Sequence, residues 1–91
     1  MMEIECDPIK RAATLDARGL DMMRAGDVFA GAHLTIEDDR QDYGEPRFIT
    51  LGHLDGRMVV LAWTPRGSAR RVMSMRKANE RERKSYGPRL G

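Results

Sequence analysis

An Asp-Gly pair at Asp55-Gly56 separates two apolar runs, and it is the local feature that most constrains the fold of this chain. Both residues tolerate the left-handed backbone that a two-residue β-hairpin turn requires. The flanking runs cover residues 47–54 and 57–64. In the first run, alternate side chains lie on opposite faces of the strand, with Phe48, Thr50 and Gly52 on one face and Arg47, Ile49 and Leu51 on the other. The sequence therefore predicts an antiparallel hairpin at the centre of the protein.

Further strand patterns extend this hairpin into a sheet. Residues 33–37 alternate apolar and polar side chains, and a polar, acidic loop over residues 38–45 joins them to the hairpin. A turn at residues 65–68 leads into another strand over residues 69–75. These segments predict an antiparallel meander of about four strands, and residues 1–6 are typical of a short edge strand.

Two short helices are predicted before the meander. Asp7 can cap the first helix, Pro8 suits its first position, and Gly19 suits its left-handed end. We expect its buried stripe to consist of Ile9, Ala12, Ala13 and Leu15. Asp21 can cap a second helix that ends at Gly31, with an inner face made of Met22, Ala25, Val28 and Phe29.

A third, short helix is predicted near the C-terminus. Asn79 and Glu82 have the spacing of a capping box, in which each side chain accepts a hydrogen bond from the backbone N–H of the other. Gly87-Pro88 is the predicted end of this helix. The order of elements predicts an α+β fold, with the helices against one face of the antiparallel sheet. A length of 91 residues suits a single domain over residues 1–91.

Composition narrows the setting in which the chain works. Its single cysteine, Cys6, cannot form an internal disulfide or build a metal cluster, which favours a reducing cytoplasm. No segment approaches the ~18 consecutive apolar residues of a membrane span, and the N-terminus carries acidic residues where a signal peptide carries basic ones. The two histidines have no partner at a metal-binding or catalytic spacing, so we expect neither a metal site nor a cofactor.

Charge is distributed very unevenly along the chain. Residues 1–55 hold six basic and twelve acidic side chains, whereas residues 56–91 hold ten basic and two acidic ones. Such a gradient is common where one face binds a polyanion and another binds a protein partner. It is equally compatible with two solvated surfaces of one domain.

The basic residues of the C-terminal third are mostly arginines. Arginine has a planar fork of donors that matches phosphate oxygens better than the lysine ammonium does. The set contains seven arginines and two lysines: Arg66, Arg70, Arg71, Arg76, Lys77, Arg81, Arg83, Lys84 and Arg89. We favour a groove that binds the RNA backbone over a merely solvated strand and helix. Within it, the candidates for RNA binding are Arg70, Lys77, Arg81, Arg83 and Tyr86.

Two residues of the third helix have alternative roles. Glu82 can be the structural carboxylate of the capping box, or it can accept the proton of a ribose 2′-OH as a general base. Tyr86 lies four residues later on the same helical face, where it can stack on a base. Packing is the more common role of an aromatic residue in a last helical turn. Phe48 and Trp63 alternate with apolar neighbours and are expected in the core.

Several stretches taken together resemble one protein family. They are Asp7-Pro8 with Lys10, Arg18-Gly19-Leu20, Val28-Phe29, Arg47-Phe48 with Leu51-Gly52, Thr64-Pro65-Arg66-Gly67, and the run from Arg71 to Ala78 followed by Glu82 and Tyr86. In their order along nearly the whole chain, they are similar to the BrnT toxins of bacterial type II toxin–antitoxin systems. The run from Thr64 to Tyr86 is the most distinctive part of this resemblance.

The resemblance implies a fold like that of the RelE ribonuclease toxins. It also implies ribonuclease activity. Toxins of this family cleave RNA and inhibit translation, and a ribbon-helix-helix antitoxin that also binds operator DNA neutralises them. The resemblance further implies that Arg47, Arg66, Arg71 and Arg76 contact phosphate or stabilise the transition state, and that Glu82 is the acid or base. The expected partners are an RNA substrate and a BrnA-like antitoxin, bound one-to-one or in a heterotetramer, with operator DNA contacted only through the antitoxin.

The function expected from the sequence is a metal-free endoribonuclease that acts as the toxin of such a system in the cytoplasm. The alternative is a non-catalytic, basic nucleic-acid-binding or regulatory module that uses the same surface without cleaving RNA. A third hypothesis is that the chain is a protein adaptor that does not bind nucleic acid. Salt-dependent RNA binding is expected of the first two, and growth arrest on expression is expected of the toxin alone.

Overall fold

A single five-stranded sheet and three helices make up the part of the chain that the structure describes, residues 3–90 of a computed structural model. The strands are β1 (Glu3–Glu5), β2 (Leu34–Glu37), β3 (Phe48–Leu54), β4 (Arg57–Arg66) and β5 (Ala69–Lys77). The helices are α1 (Pro8–Arg18), α2 (Ala25–Ala30), which follows a 3₁₀ turn (Met22–Arg24), and α3 (Glu80–Leu90). No helix within residues 3–90 has both the length and the apolar character needed to cross a membrane.

The sheet has the order β1-β5-β4-β3-β2 and mixed strand directions. Strands β2 to β5 form the predicted antiparallel meander. Strand β1 pairs in parallel with the start of β5, with Glu3 opposite Ala69. The predicted edge strand over residues 1–6 is therefore confirmed at Glu3–Glu5, while Met1 and Met2 lie outside the described residues. The prediction of a purely antiparallel sheet is wrong, because strands distant in sequence can pair in parallel and local patterns do not reveal such pairs.

Both tight turns of the meander have left-handed residues. Asp55 and Gly56 have φ values of 53° and 78°, as a two-residue type I′ hairpin requires, and the predicted hairpin is confirmed. The second turn is tighter than the predicted one over residues 65–68. Strand β4 continues to Arg66, which pairs with Ala69, so only Gly67 and Ser68 remain in the turn. Gly67 provides its left-handed backbone, with a φ of 57°.

The helix caps follow the sequence closely. The Asp7 carboxylate accepts a hydrogen bond from the Ile9 N–H at 2.8 Å, and Gly19 ends α1 with a φ of 69°. The Asp21 carboxylate accepts from the Met23 N–H at 3.0 Å, but the segment that it caps begins as a 3₁₀ turn, and α2 itself starts only at Ala25, without a side-chain cap. The predicted inner face of the second helical segment is also confirmed, since Met22, Ala25, Val28 and Phe29 are all buried.

The predicted buried stripe of α1 is wrong. Ile9 is 80% exposed and Leu15 is 48% exposed, and Ala12 and Ala13 are also exposed. Helix α1 lies against β5 and the 3₁₀ turn instead of across the sheet. Helical spacing identifies an apolar face but does not identify what covers it. The 3₁₀ turn and α2 cover one face of the sheet in its place, through Met22, Val28 and Phe29. These side chains pack with residues of β4 and β5, namely Leu61, Trp63, Val72 and Met75.

Helix α3 covers the opposite face of the sheet, so the prediction that all helices lie against one face is wrong. Its Tyr86 and Leu90 pack with Leu51, Met58 and Val60. Because β3 and β4 carry apolar side chains on both faces, each face needs a cover. We call the side that α3 covers the α3 face, and the side that α2 covers the α2 face.

The predicted end of α3 at Gly87-Pro88 is also wrong, since the helix continues to Leu90. A proline inside a helix costs about 3 kcal/mol, because it lacks an N–H and its ring crowds the preceding turn. Burial of a leucine side chain returns about 1.5–3 kcal/mol, and Leu90 is buried against the sheet. The burial of Leu90 thus offsets half or more of the cost of the proline, and the local stop signal gives no sign of this contact.

Two adjacent methionines provide a matched test of this core. Met22 is 0% exposed and Met23 is 38% exposed. Met22→Ala should lower the free energy of unfolding by about 2–5 kcal/mol, since it leaves a cavity under the sheet. Met23→Ala should change it by less than about 1 kcal/mol. Urea unfolding followed by circular dichroism measures both values, and equal losses would contradict this placement of the core.

Candidate RNA-binding and catalytic surface

Three of the four predicted catalytic arginines share the α3 face through the register of β4 and β5. Arg71 lies opposite Thr64, and Arg76 lies opposite Val60, whose side chain packs under α3. Arg66 follows Thr64 by two residues on β4 and therefore points to the same side. The pleat of the sheet thus brings together residues that the sequence spreads over two strands.

Arg47 joins this group from the loop before β3. It precedes Phe48, which packs on the α2 face, so its side chain is directed to the α3 face. Its carbonyl accepts a hydrogen bond from the Asp38 N–H at 2.8 Å, and the Thr64 hydroxyl donates to the Pro46 carbonyl at 2.6 Å. These bonds tie the loop to the sheet beside the fully buried Thr64. We call Arg47, Arg66 and Arg71, which surround Thr64, the arginine cluster.

Arg76 stands apart from the arginine cluster. Its partner Val60 lies four residues from Thr64 on β4, which corresponds to about 13 Å along the strand. Its guanidinium donates two hydrogen bonds to the Glu82 carboxylate, at 2.8 and 2.9 Å. The four predicted catalytic arginines therefore fall into a group of three and a single arginine that α3 holds.

Glu82 is the carboxylate of the predicted capping box, which is confirmed. It accepts a hydrogen bond from the Asn79 N–H at 2.9 Å, and the Asn79 side chain accepts one from the Glu82 N–H at 2.8 Å. The hydrogen bond from Arg76, with a further contribution from the Asn79 N–H, lowers the pKa of Glu82 to about 2. The same pairing raises the pKa of Arg76. While this pair is intact, Glu82 is a weak proton acceptor at neutral pH.

The members of the arginine cluster differ in how their charge is balanced. Arg66 lies 3.6 Å from Glu45, and Arg71 lies 3.5 Å from Glu5, which are loose ion pairs. Within residues 3–90, no carboxylate lies within 4.0 Å of the Arg47 guanidinium, which instead stacks on the ring of Tyr43 at 3.9 Å. The cluster therefore carries net positive charge at a sheet surface, as phosphate binding requires.

Two of the predicted RNA-binding residues lie on the other side of the sheet. The Arg70 guanidinium is stacked over the rings of Phe29 and Trp63, at 4.2 and 4.6 Å, where it covers the edge of the core. Lys77 lies opposite Val59, whose side chain belongs to the core of the α2 face. Alternation along β5 thus divides the basic segment between two faces, and the structure does not bring Arg70 and Lys77 to the arginine cluster.

The other predicted RNA-binding residues lie on α3. Arg83 donates to the Ala78 carbonyl at 2.8 Å, which fixes its side chain at the start of the helix. Tyr86 packs against the apolar residues beneath α3, in agreement with the preferred packing role. The exposed side chain of Arg81 makes no hydrogen bond or ion pair in the described part of the chain. Of these three residues, Arg81 has the side chain most available to a ligand.

Sequence reasoning missed Tyr43 and Asp38. Both belong to the loop between β2 and β3, which was predicted only as polar and acidic. Asp38 is buried and accepts hydrogen bonds from Arg40 and Tyr43. A single aromatic residue in a loop of acidic residues was the available signal, but no spacing rule connects it to Arg47. Trp63, by contrast, lies in the core as predicted, and Phe48 is partly buried against it.

This arrangement defines a class of protein: a small α+β protein that presents clustered arginines on a sheet, a surface suited to the phosphates of a nucleic acid. A family model described as a ribonuclease toxin, BrnT, of a type II toxin–antitoxin system matches residues 7–82. The chain belongs to this BrnT toxin family, which confirms the resemblance inferred from its sequence. None of the curated proteins compared with the chain matches it.

The ion pair of Glu82 makes stability depend on pH. A carboxyl group whose pKa is lowered by folding stabilises the protein above its unfolded pKa and loses this contribution as pH falls through the folded value. The free energy of unfolding of the wild type should therefore decrease as pH falls from about 4.5 towards about 2. Glu82→Gln should be less stable at pH 7 and should lose less between pH 5 and pH 2.

Urea unfolding at several pH values measures this effect. Glu80→Gln is the matched control, because Glu80 makes only an exposed pair with Lys84 on the same helix. If Glu82→Gln and the wild type followed parallel curves, the Arg76 and Glu82 pair would not contribute to folding.

Proposed function

We propose that the chain is an endoribonuclease toxin that cleaves RNA with the arginines of its α3 face and thereby inhibits translation. The observation that carries this proposal is the grouping of Arg47, Arg66 and Arg71 around Thr64. Their net positive charge on a sheet surface, together with membership of a family of ribonuclease toxins, favours RNA as the ligand.

The proposed reaction is an internal transesterification that needs no metal ion. The ribose 2′-oxygen attacks the adjacent phosphorus and forms a new P–O bond, while the bond from phosphorus to the 5′-oxygen of the next nucleotide breaks. The 2′-OH loses a proton, and the leaving 5′-oxygen gains one. We place the scissile phosphate between the arginine cluster and Arg76, whose long side chains approach it from both sides and offset the charge that builds on the pentacoordinate phosphorus.

Glu82 is the proposed proton acceptor. It can accept a proton at neutral pH only if its ion pair with Arg76 is broken, because that pair lowers its pKa. A phosphate that takes over the donors of Arg76 would remove the main cause of the low pKa of Glu82. The carboxylate would then be a stronger base next to the bound RNA. In this scheme, Arg76 and Glu82 act as a unit that RNA binding opens.

The proposed partners follow from the family. A type II toxin has a protein antitoxin, and for this chain we propose a BrnA-like ribbon-helix-helix protein. The complex would form one-to-one or as a heterotetramer in the cytoplasm, and it would contact operator DNA only through the antitoxin. Expression of the chain alone should arrest growth, and co-expression of the antitoxin should restore it.

Substitution of the arginines tests the assignment. Arg47→Ala, Arg71→Ala and Arg76→Ala should each lower the rate of RNA cleavage about a hundredfold or more, since each removes a donor to the transition-state charge. Lys84→Ala is the matched control, because it removes one positive charge from the exposed side of α3, away from the arginine cluster. Cleavage is measured on free RNA and in a translation extract, with chelator present.

The possible outcomes separate the hypotheses. Wild-type rates for all three arginine variants would contradict the site, and loss of wild-type cleavage on adding chelator would contradict the metal-free mechanism. RNA binding without cleavage under any of these conditions would favour the alternative, a non-catalytic nucleic-acid-binding module.

A further inference from the structure

The loop between β2 and β3 contains a buried carboxylate that the proposed chemistry does not use. Asp38 is only 7% exposed. Its two oxygens accept hydrogen bonds from the Arg40 side chain at 2.8 and 3.0 Å, and one of them also accepts from the Tyr43 hydroxyl at 3.2 Å. The guanidinium of Arg40 lowers the pKa of Asp38, which is therefore ionised at neutral pH. These bonds fix the position of the Tyr43 side chain within the loop.

The ring of Tyr43 in turn supports Arg47. The Arg47 guanidinium carbon lies 3.9 Å from the centre of the ring, which is the geometry of a cation–π contact. The Arg47 Nε is buried and has no hydrogen-bond partner within residues 3–90. Arg47 is thus held by an aromatic face and by the fold of the loop.

This support differs from that of the other arginines around Thr64. Arg66 and Arg71 each lie near a carboxylate, which neutralises part of their charge. A ring face orients a guanidinium without neutralising it and leaves its N–H donors free in the plane of the group. Arg47 is therefore both oriented and charged before any ligand arrives, which is the condition for effective stabilisation of a transition state.

We propose that Tyr43 is a positioning residue that presents Arg47 to the scissile phosphate, and that Asp38 holds Tyr43 in place. This inference rests on the proposed function, because it takes Arg47 as a phosphate-contacting residue. It adds two loop residues that act on the phosphate only through Arg47. The hydroxyl of Tyr43 and its ring have separate tasks: the hydroxyl anchors the side chain to Asp38, and the ring carries Arg47.

Single-turnover cleavage at saturating RNA tests the inference. Tyr43→Leu should lower the cleavage rate about ten- to a hundredfold with a smaller change in RNA affinity, because Arg47 remains but is misplaced. Tyr43→Phe retains the ring and should keep most of the rate. Asp38→Asn should fall between these two variants. The melting temperature of each variant shows whether it is folded.

A double-mutant cycle separates positioning from general support of the fold. In an Arg47→Ala background, Tyr43→Leu should cause no further loss of rate, because its effect passes through Arg47. A loss of the same factor in both backgrounds would overturn the inference, as would a wild-type rate for Tyr43→Leu. If Arg47→Ala itself cleaved at the wild-type rate, both the role of Arg47 in the proposed function and this inference would be wrong.

A spectroscopic readout does not depend on activity. A proton of the Arg47 guanidinium above the Tyr43 ring should be shifted upfield by the ring current in the NMR spectrum of the folded chain. The shift should persist in Tyr43→Phe and disappear in Tyr43→Leu. An unshifted Arg47 signal in the wild type would overturn the inference even if Arg47 proved essential for cleavage.

Discussion

The register of the β3–β4 hairpin is the constraint on which the rest of the structure depends. The turn at Asp55-Gly56 fixes this register, and the side chains of both strands then alternate between the two faces. On the α2 side, the Trp63 indole donates to the buried Thr50 hydroxyl at 2.8 Å. On the α3 side, Thr64 binds the Pro46 carbonyl. A slip of one residue would exchange these faces and would place the neighbours of the arginine cluster inside the core.

Two acidic residues of the N-terminal part lie next to basic residues of the C-terminal part in the folded chain, although they are far apart in sequence. The uneven charge distribution suggests a basic end and an acidic end of the molecule. In the folded chain, Glu5 and Glu45 come from the acidic part and lie beside Arg71 and Arg66. They form loose ion pairs with these arginines at the surface. The two carboxylates therefore reduce the positive charge of the arginine cluster without cancelling it.

Local signals predicted the features that local hydrogen bonds determine. The caps at Asp7 and Asn79 and the turn at Asp55-Gly56 depend on residues within a few positions, and all three were correct. The burial of α1 and the side that α3 covers depend on competition for the sheet, which no local pattern describes. The continuation of α3 past Pro88 depends on a distant contact of Leu90.

The candidate site was also predictable only in part, because its residue types are visible in the sequence but the faces on which their side chains lie are not. Composition and family resemblance pointed to the arginines as candidates, and of the two roles open to Glu82, the capping box is confirmed. The pleat of β5 then sent Arg70 to the α2 face, where it covers Trp63, although its neighbour Arg71 joins the arginine cluster. Tyr43 was missed because its contact with Arg47 arises from the path of an irregular loop.

The proposed function requires RNA to lie on the α3 face, across the arginine cluster. Its most direct test is an NMR titration of the folded chain with an RNA oligonucleotide that carries 2′-fluoro groups and cannot be cleaved. The backbone amide signals of Arg47, Thr64 and Arg71 should shift with RNA concentration, while those of Val28 and Phe29 on the α2 side should stay in place. Shifts confined to α1 and the α2 side, with the arginine cluster unaffected, would contradict it.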